Sequence, residues 1–172
     1  MEVGVVDDVY DEPTAAAFDL HRGQVTLMLH TGSRGFGYQV CDDFLALMNK
    51  STRAADIALP DRQLVYAPLR SNSAAQYLAA MACAANYAWA NRQILLHRAR
   101  ETFQRVLGIG PRDLAMHQVY DVCHNIAKKE FHLVDAHKKP LCVHRKGATR
   151  SFAPHHEGLC ETYQSIGQPT LI

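Results

Sequence analysis

At 172 residues the chain is long enough for one domain with a real core. Its composition, 48% apolar and 20% charged, is ordinary for a globular protein, and no stretch approaches the roughly 18 apolar residues of a membrane span. A formal charge of +1 excludes a global positive field, so any nucleic-acid binding has to come from a local patch.

In chain order, residues 3–10 predict a short strand, closed by the turn-like Asp11-Glu12-Pro13, with Thr14 placed to cap a short helix over 15–18. Residues 24–30, QVTLMLH, form a continuous apolar run and predict a strand buried on both faces. It enters Thr31-Gly32-Ser33-Arg34-Gly35-Phe36-Gly37, a loop with three glycines, and then a helix with Val40, Phe44, Leu47 and Met48 along one side. A turn at 57–62 leads to a short extended piece through Val65 and Tyr66.

The alanine-rich stretch 74–107 predicts the longest helix. Tyr77, Met81, Ala84, Ala88, Leu95, Ala99, Phe103 and Val106 stripe it, and Gly108-Ile109-Gly110-Pro111 ends it. Residues 117–122 read as a strand, 124–131 as a helix opening from its end, and 140–144 as a strand entering the basic segment 145–150. There is no repeat and no low-complexity linker. The pattern predicts one α+β domain over residues 1–172, mixed strands packed with the long helix. Residues 165–172 look like a turn feeding an apolar strand cut off as it begins, and the start is equally abrupt. Both ends read as truncation points, and bare apolar edges predict poor solubility in isolation.

Cys41, Cys83, Cys123, Cys142 and Cys160 are odd in number and form no C-x-x-C pair, which points to reduced thiols. With neither a basic region nor an apolar signal core at the start, a cytoplasmic home is expected. The ten histidines are the unusual feature and hint at metal or acid–base chemistry.

Three constellations could carry chemistry. In the first, a strand delivers His30 to its end, glycines expose backbone N–H groups, and Arg34 offers a planar fork suited to a phosphate. A Gly-rich turn with an incidental histidine has the same spacing. In the second, His124 stands where strand becomes helix, with Asn125 beside it and Asp121 near enough to orient it. A capping histidine fits equally, and Cys123 is either a soft-metal donor or an inert thiol. In the third, Arg145, Lys146 and Arg150 surround Gly147 and Thr149 after a strand, as an RNA backbone or a plain solvated loop would allow. His155-His156 reads as surface; Asn86, Asn91 and Arg92 on the long helix either reach the site or, at less cost, are ordinary polar residues of an exposed helix face.

Taken in order, the strings HTGSRGFGYQV, LPDRQLVYAP, AMACAANYAWANRQI, YDVCHNIAKKEFH, LCVHRKGATRSF and SIGQPTLI resemble the RtcB family of RNA-splicing ligases over essentially the entire chain. The resemblance implies an RtcB-like fold in part. It implies an enzyme joining RNA 2′,3′-cyclic phosphate or 3′-phosphate ends to 5′-hydroxyl ends, in tRNA splicing or RNA repair. Manganese and GTP are the implied cofactors, RNA the substrate, and an archease-like activator a further partner; no membrane or DNA is implied. By the same resemblance His30 and His124 match metal ligands and Arg34 an RNA-phosphate contact, while Asn125, Arg145 and Lys146 fall in segments lining the site.

The departures are as informative. The family's upstream metal-binding Asp, Cys and Asn-His segments are expected to lie outside this chain, as is the downstream histidine that takes up GMP. Tyr38 stands where a histidine is usual, and Ser71-Asn72-Ser73-Ala74-Ala75 replaces a segment usually carrying Pro-Glu-Gly. Two manganese ligands alone would hold a dinuclear centre only weakly, so this chain is expected to be an incomplete, inactive portion of such a ligase. The alternatives are a non-catalytic RNA- or partner-binding module and a metal-dependent hydrolase using His30 and His124.

Overall fold

The computed structural model describes residues 1–54, 58–159 and 161–168. Cys160, the final apolar segment at 170–172 and the start of the expected turn at 57–62 lie outside the described residues. The elements run β1 (Glu2–Val5), α1 (Glu12–Ala17), β2 (Val25–Met28), α2 (Arg34–Ala54), α3 (Asn72–Leu107), α4 (Pro111–Leu114), β3 (Asn125–Val134) and β4 (His137–Lys146), then a 3-10 turn at Glu161–Tyr163. The class is α+β as expected, but both two-stranded sheets are antiparallel rather than mixed. The chain divides into two compact units, Met1–His30 with Arg100–Ile172, and Thr31–Ala99.

In the first unit β1 pairs with β2, from Glu2 opposite Met28 to Val5 opposite Val25. The expected strand at 3–10 stops early because Gly23, at φ 83°, reverses the chain and donates to the Val6 carbonyl at 2.8 Å. Among the described residues β2 pairs with β1 alone, so Val25 remains 61% and Met28 56% exposed. Its apolar run therefore does not signal burial on both faces. Asp11, not Thr14, caps α1: its carboxylate accepts the Thr14 N–H at 3.1 Å and the Thr14 hydroxyl at 3.0 Å. Pro13 in the first turn explains this, since proline belongs just inside a helix start and the cap must precede it. Phe18 and Leu159 are buried, and the Phe18 ring lies 5.5 Å from Tyr163.

The largest correction concerns residues 124–131. They form no helix; β3 pairs with β4 through ten positions, from Asn125 opposite Lys146 to Val134 opposite His137. From Lys128 onward burial alternates residue by residue, the period of a strand with one covered face. Residues 117–122, expected as a strand, are irregular. The expected strand at 140–144 lies inside β4.

The second unit is built on α2 and α3. Phe36 meets Tyr87 with ring centroids 5.8 Å apart, and Phe44 meets Tyr77 at 5.2 Å, so the two helices run antiparallel. Between these pairs the helices approach closely, because Gly37 has no side chain and a Cβ there would lie 3.6 Å from that of Ala84. Ala74, Ala84, Ala88 and Ala99 are buried along α3, with Met48 buried on α2. The glycine loop is shorter than expected: α2 begins at Arg34, placing Gly35 and Gly37 in its first turns. Val65 and Tyr66 lie in irregular backbone.

Candidate metal and phosphate site

In the first unit β2 ends at Met28 and carries the chain to His30, which is exposed. His124, half-buried, immediately precedes β3. The two imidazoles come together with Nε2 atoms 3.3 Å apart, ring centroids 5.1 Å apart and planes inclined at 66°. One ring with its proton on Nε2 donates to the other. The same spacing suits a shared ion. Two nitrogens each about 2.0–2.1 Å from a tetrahedral metal stand roughly 3.3–3.4 Å apart. Among the described residues no third His, Cys, Asp or Glu joins them into a metal-holding group.

The far end of the ribbon pins His124. Ala148 donates its N–H to the His124 carbonyl at 3.3 Å, and Asn125 accepts the Gly147 N–H on Oδ1 at 3.1 Å. Gly147 makes this turn at φ 66°, a left-handed conformation that suits glycine. Asn125 and Lys146 face each other across the strands, and both are exposed.

Arg145 is placed differently from its neighbour. Its Nη1 and Nη2 donate to the two carboxylate oxygens of Glu130 at 2.9 and 2.7 Å, with both side chains only about 10% exposed. Those hydrogen bonds hold the Glu130 carboxyl below its usual range against the effect of burial, and His132 Nε2 at 3.1 Å helps. Glu130 thus takes two of the five N–H donors that Arg145 could offer a phosphate. His156, expected on the surface, is half-buried and stacks on Phe152 at 3.8 Å.

In the second unit Arg34 is the first residue of α2, exposed, and at φ 55° in the left-handed region. The turn before it is held by Asn91 and Arg92, so of the two readings the sequence offers for them, the one that brings them to this loop is the one the fold adopts. Asn91 Nδ2 donates to Thr31 Oγ1 at 3.2 Å and to the Gly32 carbonyl at 2.9 Å, and Arg92 Nη1 reaches the Thr31 carbonyl at 3.4 Å. Arg92 is 9% exposed and lies over the Trp89 ring. The signal was available: Ala84, Ala88 and Arg92 recur every four residues, so the arginine continues the buried stripe.

No described helix is long and apolar enough to cross a membrane. Comparison with known proteins gives a consistent answer. The family model for "tRNA-splicing ligase RtcB" matches residues 1–172. The tRNA-splicing ligase RtcB of Archaeoglobus fulgidus is 54% identical across the whole chain, which covers 36% of that relative. Those of Methanocaldococcus jannaschii and Methanococcus maripaludis are 50% and 51% identical, with 18% and 36% of their lengths covered.

Proposed function

Because the chain belongs to the tRNA-splicing ligase RtcB family, matched over residues 1–172, we propose that it contributes part of the active site of an enzyme joining RNA ends. The ends are a 2′,3′-cyclic phosphate or 3′-phosphate and a 5′-hydroxyl, with GTP and manganese as cofactors. The observation that carries the site assignment is the meeting of His30 and His124, whose Nε2 atoms stand 3.3 Å apart although 94 positions separate them in sequence.

Each residue then has a role that its chemistry suits. His30 and His124 offer neutral imidazole nitrogens to one ion and rely on ligands from elsewhere in the ligase to complete it. A bound divalent ion there supplies charge neutralisation for phosphate oxygens. Arg34 offers its fork to the RNA phosphate. Lys146 adds an exposed cation, and Asn125 keeps the adjoining turn in place through Gly147. Arg145 serves this reading through Glu130, by fastening the ribbon that carries Asn125 and Lys146.

The test is an exchange. The chain replaces its aligned segment in the Archaeoglobus fulgidus relative, to which it is 54% identical, and the hybrid is given two labelled RNAs, one ending in a 2′,3′-cyclic phosphate and one beginning with a 5′-hydroxyl. Joining that depends on manganese and GTP is expected. A hybrid that folds, binds RNA and joins nothing would favour a non-catalytic binding module.

A further inference from the structure

We infer that Asn91 and Arg92 of α3 are positioning residues for Arg34. The inference rests on the reading of Arg34 as a phosphate contact and goes one step past it.

Arg34 stands at φ 55°, a region that side chains with a Cβ seldom adopt and keep only when their surroundings over-determine it. Both sides of this hinge are fixed. Before it, Asn91 spends both amide protons on the turn, at Thr31 Oγ1 and the Gly32 carbonyl, while Arg92 reaches the Thr31 carbonyl. After it, the Phe36 N–H donates to the Ser33 carbonyl at 3.2 Å, and Gly37 leaves room for the Ser33 hydroxymethyl group that a Cβ would fill. A chain held at Thr31, Gly32 and Ser33 and already helical from Arg34 has little freedom left in between. Without the Asn91 donors the turn has lost two of its anchors, and Arg34 is free to relax into the ordinary helical region. Its guanidinium then no longer meets a phosphate at the angle a two-pronged contact needs. Asn91 and Arg92 touch no phosphate themselves.

The test uses the exchanged ligase, in which this chain replaces its aligned segment, and two otherwise identical RNA oligonucleotides, one with a 3′-phosphate and one with a 3′-hydroxyl. The readout is the ratio of their affinities. The unaltered hybrid is expected to favour the phosphorylated end by about tenfold, the scale of one charge-assisted contact. Arg34→Ala and Asn91→Asp, which keeps the shape but loses both donors, are each expected to bring the ratio near one. The double variant is expected to do no more than either alone, because a positioning residue acts only through its target. Arg92→Lys keeps a donor and most of the ratio. Melting curves check folding. Should Asn91→Asp fail to fold, Thr31→Val removes just one acceptor and is expected to lower the ratio about threefold, roughly half the effect of the whole contact on a logarithmic scale.

If Asn91→Asp weakens both RNAs equally, or Asn91→Asp and Thr31→Val leave the ratio intact while Arg34→Ala abolishes it, the positioning role is overturned. If Arg34→Ala leaves the ratio intact, or the unaltered hybrid has no preference, the phosphate reading of Arg34 fails, and the positioning role with it.

Discussion

The imidazoles of His30 and His124 meet through their Nε2 atoms at 3.3 Å, one at the end of a hairpin strand and the other at the start of a ribbon. Nothing local brings them together. The pairing of β1 with β2 delivers the first, and the hydrogen bonds from Gly147 and Ala148 hold the second. Two ring nitrogens facing each other in this way suit one shared hydrogen bond, and in the proposed ligase one shared cation.

The ion pair under the ribbon gives the first expected outcome. Glu130 has its carboxyl held below the usual range, chiefly by the two hydrogen bonds from Arg145. A carboxylate depressed in the folded state stabilises above its unfolded pKa and loses that contribution as pH falls through the folded value. Glu130→Gln should therefore cost on the order of 2 kcal/mol near neutral pH, with the gap to the unaltered chain closing in acid. Urea melts at neutral and acid pH check this; an equal gap at both would mean the cost does not come from the carboxylate's charge.

Two glycines in one helix should respond oppositely. A Cβ at Gly37 would collide with the Ser33 side chain and press toward Ala84, whereas one at Gly35 meets nothing within 4 Å. Gly37→Ala is expected to destabilise by about 1–3 kcal/mol through overpacking, and Gly35→Ala to stabilise by roughly 0.5–1 kcal/mol through helix propensity. Thermal melts of the two single variants decide it.

The tip of the ribbon carries avoidable strain. Asp135 and Ala136 sit at φ 53° and 60°, the two-residue loop that favours a right-handed twist but demands left-handed residues. Ala136→Gly removes the Cβ conflict and should stabilise by about 1 kcal/mol. A melt unchanged or lowered would show that flexibility in the unfolded chain outweighs the relief.

That turn also explains where the sequence misleads. An Asn-Gly or Asp-Gly step would have announced a hairpin, but Asp135-Ala136 does not, and His124-Asn125-Ile126-Ala127-Lys128-Lys129-Glu130 has the helix-friendly residues of a first turn. Only the ladder to β4 settles the strand. The long α3 was legible because alanine content and a spacing of three and four agree over ten turns' worth of chain. His30 and His124 could be picked as residues, since each ends or begins an element, but their meeting is a tertiary fact. The pairing of Arg145 with Glu130 was not legible, because Glu130 lies fifteen positions away on the neighbouring strand, beyond any local pattern.

The central claim is that His30 and His124 serve one metal ion in an RNA ligase. It is tested most directly by manganese titration of the exchanged ligase, following the free ion by its paramagnetic resonance signal. His30→Ala and His124→Ala are each expected to weaken binding at one site at least tenfold, and the double variant by less than the product of the two, since both act on the same ion. Single variants that bind manganese as tightly as the unaltered hybrid would contradict the account.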